Sequence, residues 1–360
     1  MYPFFNSEKH SYANSNSSHK AGELLNKNIE IARYNVSKII NSFSHSEIIF
    51  TSGATESNNM AILGSTIFSD KTEKNHIITT KIEHASVLNC FKFLEKKGYI
   101  VDYLSVDENG IISISELKKL VTEKTFFVSI MHVNNETGAT QNIEKIAEYL
   151  KKMDIIFHVD AAQSLGKIKI DVQKISVDLL SISGHKIYGP KGIGALYARL
   201  FPKKTNISPI MFGSDNERGL RPGSPSITQI VGFGKACFNA DRNYEKNFIY
   251  LDNLKKFFLK KIKNVNNVTL NGCENNIVPG IINIRINNIK NSDLKLLQER
   301  FLFSFGSSCS NSNISYVLKS MNFTDQQIKS SIRVSFGLST KKKDLLLLIN
   351  NIKYKSSSRS

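Results

Sequence analysis

The sequence predicts an α/β fold, with a mostly parallel sheet in a large domain and a smaller α+β domain after it. From about residue 47 onward, short and continuously apolar runs alternate with amphipathic stretches. This alternation is typical of parallel strands that helices cover on both faces. The pattern changes near residue 240, where a long basic helical stretch precedes segments that look antiparallel. We therefore expect a large domain over residues 1–240 and a small domain over residues 241–360.

The elements follow from these runs in chain order. We expect buried strands over residues 48–50, 76–78, 126–130, 155–159 and 179–182, and helices between them over residues 87–97 and 142–152. In the second part, we expect a basic amphipathic helix from about residue 241 to 263, followed by strands over residues 281–286 and 332–336.

Composition excludes several classes of protein. The hydrophobic fraction of 41% is ordinary for a soluble globular protein. The formal net charge of +17 is unusual, but the lysines are scattered and no nucleic-acid-binding motif accompanies them. We interpret the charge as a solvated surface and expect no direct, specific binding to nucleic acid. The longest apolar runs, such as residues 345–349, are far too short to span a bilayer, which predicts no membrane association.

The cysteines indicate a reducing compartment. Cys90, Cys237, Cys273 and Cys309 are far apart, and no C-x-x-C pair or zinc-ligand spacing occurs. Because there is also no signal peptide, we expect a cytoplasmic protein without disulfides or a metal site. Cys90 and Cys237 fall in predicted helices, where a cysteine usually serves as a small buried hydrophobic residue.

The residues after each predicted strand are the place to look for a binding site, because ligands of parallel sheets gather at the carboxyl ends of strands. After the first strand, Ser52, Gly53, Ala54 and Thr55 precede a helical run. Small residues with free backbone N–H groups at a helix start form an anion site that suits a phosphate. The segment could also serve as an N-cap with a tight turn, and taken alone it favours a phosphate only weakly.

Asp160 and Lys186 follow two later strands. The carboxyl group of Asp160 could cap a helix, which is the commoner case, or face a basic ring nitrogen and keep it protonated. The amine of Lys186 could extend to the surface, or it could form a Schiff base. A phosphate cradle, a carboxyl group and an amine at neighbouring strand ends together predict one cofactor, pyridoxal phosphate.

Several motifs resemble one family in order and spacing. They are Ser-Gly-Ala-Thr-Glu-Ser at 52–57, Glu-His at 83–84, His-Val-Asn-Asn-Glu-Thr-Gly at 132–138, Val-Asp-Ala-Ala-Gln at 159–163, Ser-Gly-His-Lys-Ile-Tyr-Gly-Pro-Lys-Gly-Ile-Gly at 183–194, Glu-Arg-Gly-Leu-Arg-Pro-Gly-Ser at 217–224 and Ser-Ser-Ile-Arg-Val-Ser-Phe-Gly at 330–337. Together they resemble the cysteine desulfurases of the NifS/IscS type, which are fold-type I, class V pyridoxal-phosphate enzymes. The resemblance runs from about His10 to Thr340.

The resemblance implies a role for each site residue. Lys186 would carry the cofactor as a Schiff base and move the proton at the substrate Cα, Asp160 would pair with the pyridine nitrogen, and His84 would stack on the ring and handle protons. The phosphate would be held by the backbone of Ala54, by Thr55, Ser183 and His185, and across a dimer by Ser224 of the partner subunit. Gln163 and Asn135 would approach the ring hydroxyl and the substrate, and Arg333 would bind the substrate carboxylate.

Cys309 is the predicted nucleophile. It lies in a Gly/Ser/Asn-rich segment, residues 305–313, that cannot bury it continuously, and exposure favours thiol reactivity. It also falls where the family has its persulfide cysteine. The resemblance therefore implies that L-cysteine is converted to L-alanine while its sulfur passes to Cys309 as a persulfide.

The resemblance also implies a homodimer, and sulfur-acceptor proteins for iron–sulfur cluster assembly, tRNA thiolation or both. Relative to the family, Ser224 replaces a threonine, the segment after Cys309 is shorter, and the chain begins after the first short strand. The tail that docks the scaffold protein in longer relatives is absent, and we expect delivery to that scaffold to be less secure than desulfuration. Rival interpretations are a selenocysteine lyase, a class V aminotransferase, which has no need for Cys309, and a degraded protein kept as a partner-binding scaffold.

Overall fold

The larger of two sheets forms the centre of the molecule. The computed structural model describes residues 1–5, 13–66, 74–287, 289–304 and 314–357, and within these ranges this sheet has seven strands. In spatial order they are β1 (Ile48–Thr51), β7 (Gly194–Ala198), β6 (Leu179–Ser183), β5 (Ile156–Asp160), β4 (Thr125–Ser129), β2 (His76–Thr80) and β3 (Ile100–Leu104). Only β7 is antiparallel to its neighbours, so the described sheet is mostly parallel, as predicted.

Helices connect and cover the strands. They are α1 (Lys20–Ile39), α2 (Ala54–Thr66), α3 (Ala85–Lys96), α4 (Ile114–Leu120), α5 (Ile143–Lys152), α6 (Ile227–Arg242), α7 (Tyr244–Ile262), α8 (Asn291–Arg300), α9 (Tyr316–Ser320), α10 (Asp325–Lys329) and α11 (Lys342–Ser357). α5 illustrates how the sequence sets a helix. The Asn142 side chain accepts the backbone N–H of Lys145 at its start, and the buried residues Ile143, Ile146 and Leu150 recur at helical spacing.

The strands of the larger sheet other than the edge strand β3 are buried on both faces, which explains their largely apolar sequences. In β1, Ile48 and Phe50 join one hydrophobic cluster, whereas Ile49 between them joins another. The adjacent residues Ile77 and Ile78 of β2 divide in the same way.

The smaller sheet is antiparallel and contains β10 (Ser331–Ser335), β9 (Ile281–Ile286) and β8 (Val268–Leu270), in that order. Side chains of α7, α8 and α11 pack on it, with Phe258 and Ile284 in the same cluster. α9 and α10 behave differently, because Val317 and Ile328 pack into the core of the larger sheet. The division at residue 240 stays a prediction.

The predicted strands and helices are confirmed, with bounds shifted by a few residues. Three strands were not predicted from the sequence. β3 begins with the exposed Ile100, β8 is only three residues long, and β7 begins with Gly194. A Cβ on Gly194 would lie 2.7 Å from the Cα of Gly53, so this strand start needs a glycine that weakens its apolar pattern. None of the described helices combines the length and the apolar character that crossing a membrane requires.

Candidate active site

A cavity of about 800 Å³ opens at the carboxyl ends of the parallel strands. Residues of the larger sheet line one side, and residues of β10 line the other. The sequence-predicted site residues that line it are Ala54, Thr55, His84, Asn135, Asp160, Gln163, Ser183, His185, Lys186 and Arg333. The structure thus brings together residues that the sequence spreads over most of its length.

Lys186 lies in a tight turn directly after β6. The turn is a 3₁₀ helix, Gly184–Ile187, and Tyr188 ends it in a left-handed conformation with φ of 66°. A Cβ on Gly184 would lie 2.9 Å from Cγ2 of Ile193, so the turn can pack this closely only with glycine there. Lys186 is partly exposed, because it faces the cavity and not the core behind the strand.

Asp160 is the last residue of β5 and is only 5% exposed. Its Oδ2 accepts a hydrogen bond from Nδ2 of Asn58 at 2.8 Å, and its Oδ1 accepts the backbone N–H of Ala162 at 2.9 Å. Asp160 pairs with Ser181 of β6, so the carboxylate and the Lys186 amine come from adjacent strands. The sequence analysis missed Asn58, whose signal was a polar residue on the buried face of α2.

The start of α2 and the turn after β6 form one end of the cavity. Ala54 and Thr55 begin the helix, and Gly53 before them has a φ of +152° and open space where a Cβ would lie. Ser183 Oγ lies 2.9 Å from Nδ1 of His185. Desolvation and the ammonium group of Lys186 lower the pKa of His185, with Lys191 adding to the effect. Backbone N–H groups, hydroxyls and cations at this end suit a phosphate.

His84 is held in a fixed orientation at the start of α3. Its Nδ1 accepts the backbone N–H of Ser86 at 3.2 Å and lies 2.8 Å from the Ser86 hydroxyl. The same hydroxyl accepts a hydrogen bond from Asn58 at 2.9 Å. Asn58 therefore ties the Asp160 carboxylate to the residue that orients His84. Since Nδ1 acts as an acceptor, the proton of the neutral ring lies on Nε2.

Glu83, next to His84, is a buried acid below the cavity. Its Oε1 accepts hydrogen bonds from the Thr80 hydroxyl and from the backbone N–H of Met131, both at 2.8 Å. Burial and, to a smaller extent, the Asp160 carboxylate raise the pKa of Glu83 to about 8 against the opposing effect of the two hydrogen bonds. The carboxyl group is therefore protonated at neutral pH.

Arg333 of β10 faces the cavity from the side of the smaller sheet. Its Nη1 donates to the backbone oxygen of Asn135 at 2.9 Å, and its Nη2 donates to the Ser304 hydroxyl at 3.1 Å. Its Nε and the Oδ1 of Asn135 are buried and find no hydrogen-bond partner among the described residues. Buried polar groups are nearly always paired, so these two atoms indicate where a ligand binds.

Lys167 lines the cavity but escaped the sequence analysis. Its ammonium donates to Oε1 of Gln163 at 3.0 Å. Its sequence signal, a lysine after Gly166 shortly past a strand, could not be distinguished from an ordinary surface lysine.

Two predicted residues do not occur among the described residues that line the cavity. Cys309 lies outside the described residues, so its placement stays a prediction. Ser315, which follows that segment, donates from its hydroxyl to Oε2 of the buried Glu136 at 2.5 Å. Ser224 is exposed and is absent from the described residues that line the cavity. Cys90 and Cys237 are buried, as predicted, and burial raises the pKa of both thiols.

Comparisons with known proteins agree with this geometry. The family model of class-V aminotransferases matches residues 5–348. The cysteine desulfurase IscS of Buchnera aphidicola subsp. Acyrthosiphon pisum (strain 5A) is 44% identical over 331 residues, which are 91% of this chain and 81% of that protein. IscS of Vibrio vulnificus (strain YJ016) is 42% identical over 338 residues, 93% of this chain and 83% of that protein. The solved structure of a NifS-like protein has a TM-score of 0.89 at 33% identity and covers 98% of this chain and 93% of its own.

The fold and the site define a fold-type I pyridoxal-phosphate enzyme, and the chain belongs to the class-V aminotransferase family. Within that family it is a pyridoxal-phosphate-dependent cysteine desulfurase, because IscS relatives are 42% and 44% identical to it over more than nine-tenths of its length. The predicted family, fold and cofactor are confirmed. The residues present also fit the cofactor, since a partly exposed amine, a buried carboxylate and an open helix start face one cavity.

Proposed function

We propose that the cavity desulfurates L-cysteine and passes the sulfur to Cys309 as a persulfide. The observation that carries this proposal is the pairing of β5 with β6, which directs Asp160 and Lys186 into one cavity opposite Arg333. Pyridoxal phosphate, when bound, supplies an electron sink for the electrons released at the substrate Cα. The protein residues supply binding, orientation and proton transfer.

The larger sheet holds and activates the cofactor. Lys186 would hold the cofactor through its amine and would carry the proton of the substrate Cα. Asp160 keeps the ring nitrogen protonated, and the two hydrogen bonds that it accepts fix its carboxylate for this role. His84 would lie against the cofactor ring and would exchange protons through Nε2, since its Nδ1 is occupied by Ser86.

The start of α2 and the turn after β6 bind the phosphate. The backbone of Ala54, the Thr55 hydroxyl, Ser183 and His185 are the proposed contacts, and all four residues line the same end of the cavity. Ser224 of the partner subunit completes this site in a homodimer. Exposure of Ser224 outside its own cavity supports that assignment.

The smaller sheet binds the substrate. Arg333 clamps the carboxylate of L-cysteine, for which a planar guanidinium is suited, and its Nε is one of the donors that have no partner among the described residues. Asn135 lies beside it and contacts the substrate, while Gln163 contacts the ring hydroxyl.

Sulfur transfer then follows by displacement. The Cys309 thiolate attacks the substrate sulfur, a new S–S bond forms, and the C–S bond breaks with its electron pair moving to carbon. The carbon that carried the sulfur takes up a proton, Lys186 returns the proton to Cα, and L-alanine leaves. No external oxidant is needed, because the carbon gains the two electrons that the transferred sulfur gives up.

We further propose that the enzyme acts in the cytoplasm and delivers its persulfide sulfur to acceptor proteins of iron–sulfur cluster assembly, of tRNA thiolation, or of both. The similarity to IscS proteins supports an acceptor of this kind.

The test is sulfide and alanine release from L-cysteine in the presence of dithiothreitol. We expect Cys309→Ser to lose sulfide release by at least about 100-fold while the yellow cofactor band is retained. Cys273→Ser is the matched control, because Cys273 is a partly exposed cysteine that does not line the cavity, and it should match wild type. Wild-type rates in Cys309→Ser would refute the persulfide role.

A further inference from the structure

Lys167 is directed into the cavity by the turn that follows β5. The backbone N–H of Lys167 donates to the carbonyl oxygen of Ser164 at 2.9 Å, which closes the turn. Gly166 before it has a φ of +70°, and a Cβ there would lie 2.9 Å from Cγ2 of Ile187. The turn thus depends on a glycine that packs against the segment carrying Lys186.

The ammonium of Lys167 fixes the orientation of Gln163. An ammonium has only donors, so the Gln163 atom 3.0 Å from it must be the amide oxygen. The two N–H bonds of the Gln163 amide are therefore turned away from Lys167 and are available to the cavity that both residues line.

Lys167 also belongs to a cationic cavity. The described lining contains four lysine and arginine side chains and one carboxylate. No salt bridge of Lys167 to a carboxylate occurs within the described residues. Desolvation, together with the positive charges of Lys186 and Arg333, lowers the pKa of Lys167 to about 8. The other titratable groups around the cavity are His84, Asp160, His185, Tyr188 and Lys191.

We propose that Lys167 is a positioning residue that holds the Gln163 amide with its N–H₂ group toward the ring hydroxyl oxygen of the cofactor. This inference rests on the proposed role of Gln163. An amide donor stabilises that ring oxygen as an anion. Stabilising this anion lowers the pKa of the neighbouring proton on the Lys186 nitrogen. The positive charge of Lys167 repels the same proton and lowers that pKa as well. When Lys167 is removed, the Lys186 nitrogen therefore keeps its proton to a higher pH.

Loss of this proton can be followed in the holoenzyme without cysteine, because the visible cofactor band bleaches as the pH rises. The midpoint pH of this bleaching is the quantity to compare. We expect the midpoint of Lys167→Met to rise by about one pH unit, with more than half of the rise due to the lost orientation of the Gln163 amide donor and the remainder due to the lost Lys167 charge. Lys169→Met is the matched control, because it removes an exposed ammonium from the same segment, and its midpoint should not move. In a Gln163→Leu background, Lys167→Met should retain less than about half of its effect, since the two residues act together.

An unchanged midpoint in Lys167→Met would overturn the proposal. A full shift in the Gln163→Leu background would also overturn it, because Lys167 would then act without Gln163. Lys167→Gln is the second variant if the methionine is not tolerated. Lys167→Met and Lys167→Gln could also both fold but take up no cofactor, while Gln163→Leu takes it up. This result would equally contradict a role of Lys167 through Gln163. Failure of the Cys309→Ser test would leave this result intact, because sulfur transfer is not measured.

Discussion

The two sides of the cavity are built in different ways. On the cofactor side, Asp160 and Lys186 follow adjacent parallel strands of a sheet that is buried on both faces. On the substrate side, Arg333 lies on β10, which pairs only with β9 within the described three-stranded sheet. Its guanidinium reaches a backbone oxygen of Asn135, a residue 198 positions away in the chain.

This difference separates two tasks. The cofactor side is set mainly by strand order, because Asp160 and Lys186 are placed by the strands in which they lie or which they follow. The substrate side depends on contacts between distant segments, with Ser304 and Asn135 both holding Arg333. Substitutions should therefore affect cofactor chemistry on one side and substrate binding on the other.

The largest effect should come from Lys186. We expect Lys186→Ala to reduce desulfuration by at least about 1,000-fold, because it removes both the covalent link and the proton carrier. The yellow band that borohydride bleaches should also be absent. Lys169→Ala, which removes an exposed lysine outside the cavity, should keep both activity and colour. A yellow, active Lys186→Ala enzyme would contradict the assignment of the cofactor side.

Arg333→Lys should have a smaller effect, confined to the substrate side. An ammonium cannot reproduce the planar donors of a guanidinium, so we expect KM for L-cysteine to rise by about 10- to 100-fold. Steady-state kinetics and the cofactor spectrum measure the two sides separately, and the spectrum should not change. Arg285→Lys on β9, outside the cavity, serves as the control. A weakened cofactor with an unchanged KM would show that the division between the sides is wrong.

Glu83→Gln should alter stability more than activity. The pKa of Glu83 is raised to about 8 by burial, whereas the ordinary value is 4.5, so the native protein retains a proton that the unfolded chain loses. Native stability therefore falls as pH rises between these values, by about 5 kcal/mol in all at about 1.4 kcal/mol per pH unit.

Glu83→Gln removes this titration, and thermal unfolding across the same pH range should show a flatter profile for the variant. The exposed Glu148→Gln on α5 should keep the wild-type profile. Parallel profiles for wild type and Glu83→Gln would mean that Glu83 is not protonated in the native protein.

The cofactor side was largely predictable from the sequence. Continuously apolar strands indicated a parallel sheet, and chemistry-bearing residues at their carboxyl ends indicated Asp160, Lys186 and the Ala54–Thr55 segment. Such residues are recognisable because the apolar pattern of a strand locates its carboxyl end, and no contact with a distant segment is needed to find it.

The supporting residues were not predictable in the same way. Asn58 lies on a helix, and only the packing of α2 against the sheet brings it to Asp160. Lys167 resembles a surface lysine until the turn at Gly166 directs it to Gln163. The contact of Arg333 with Asn135 joins two sheets, and a pattern within one segment cannot reveal it. The role of Arg333 came from resemblance to a family.

Asp160→Asn tests the division between the two sides most directly. The carboxylate of Asp160 accepts hydrogen bonds from Asn58 and from the backbone N–H of Ala162, and the N–H₂ group of an asparagine would face one of these two donors. The asparagine would also no longer hold the ring nitrogen protonated. We predict that kcat falls by about 100-fold or more while KM for L-cysteine stays within about threefold of wild type. A variant whose KM rises while kcat is unchanged would contradict the account, because Asp160 would then act on the substrate side.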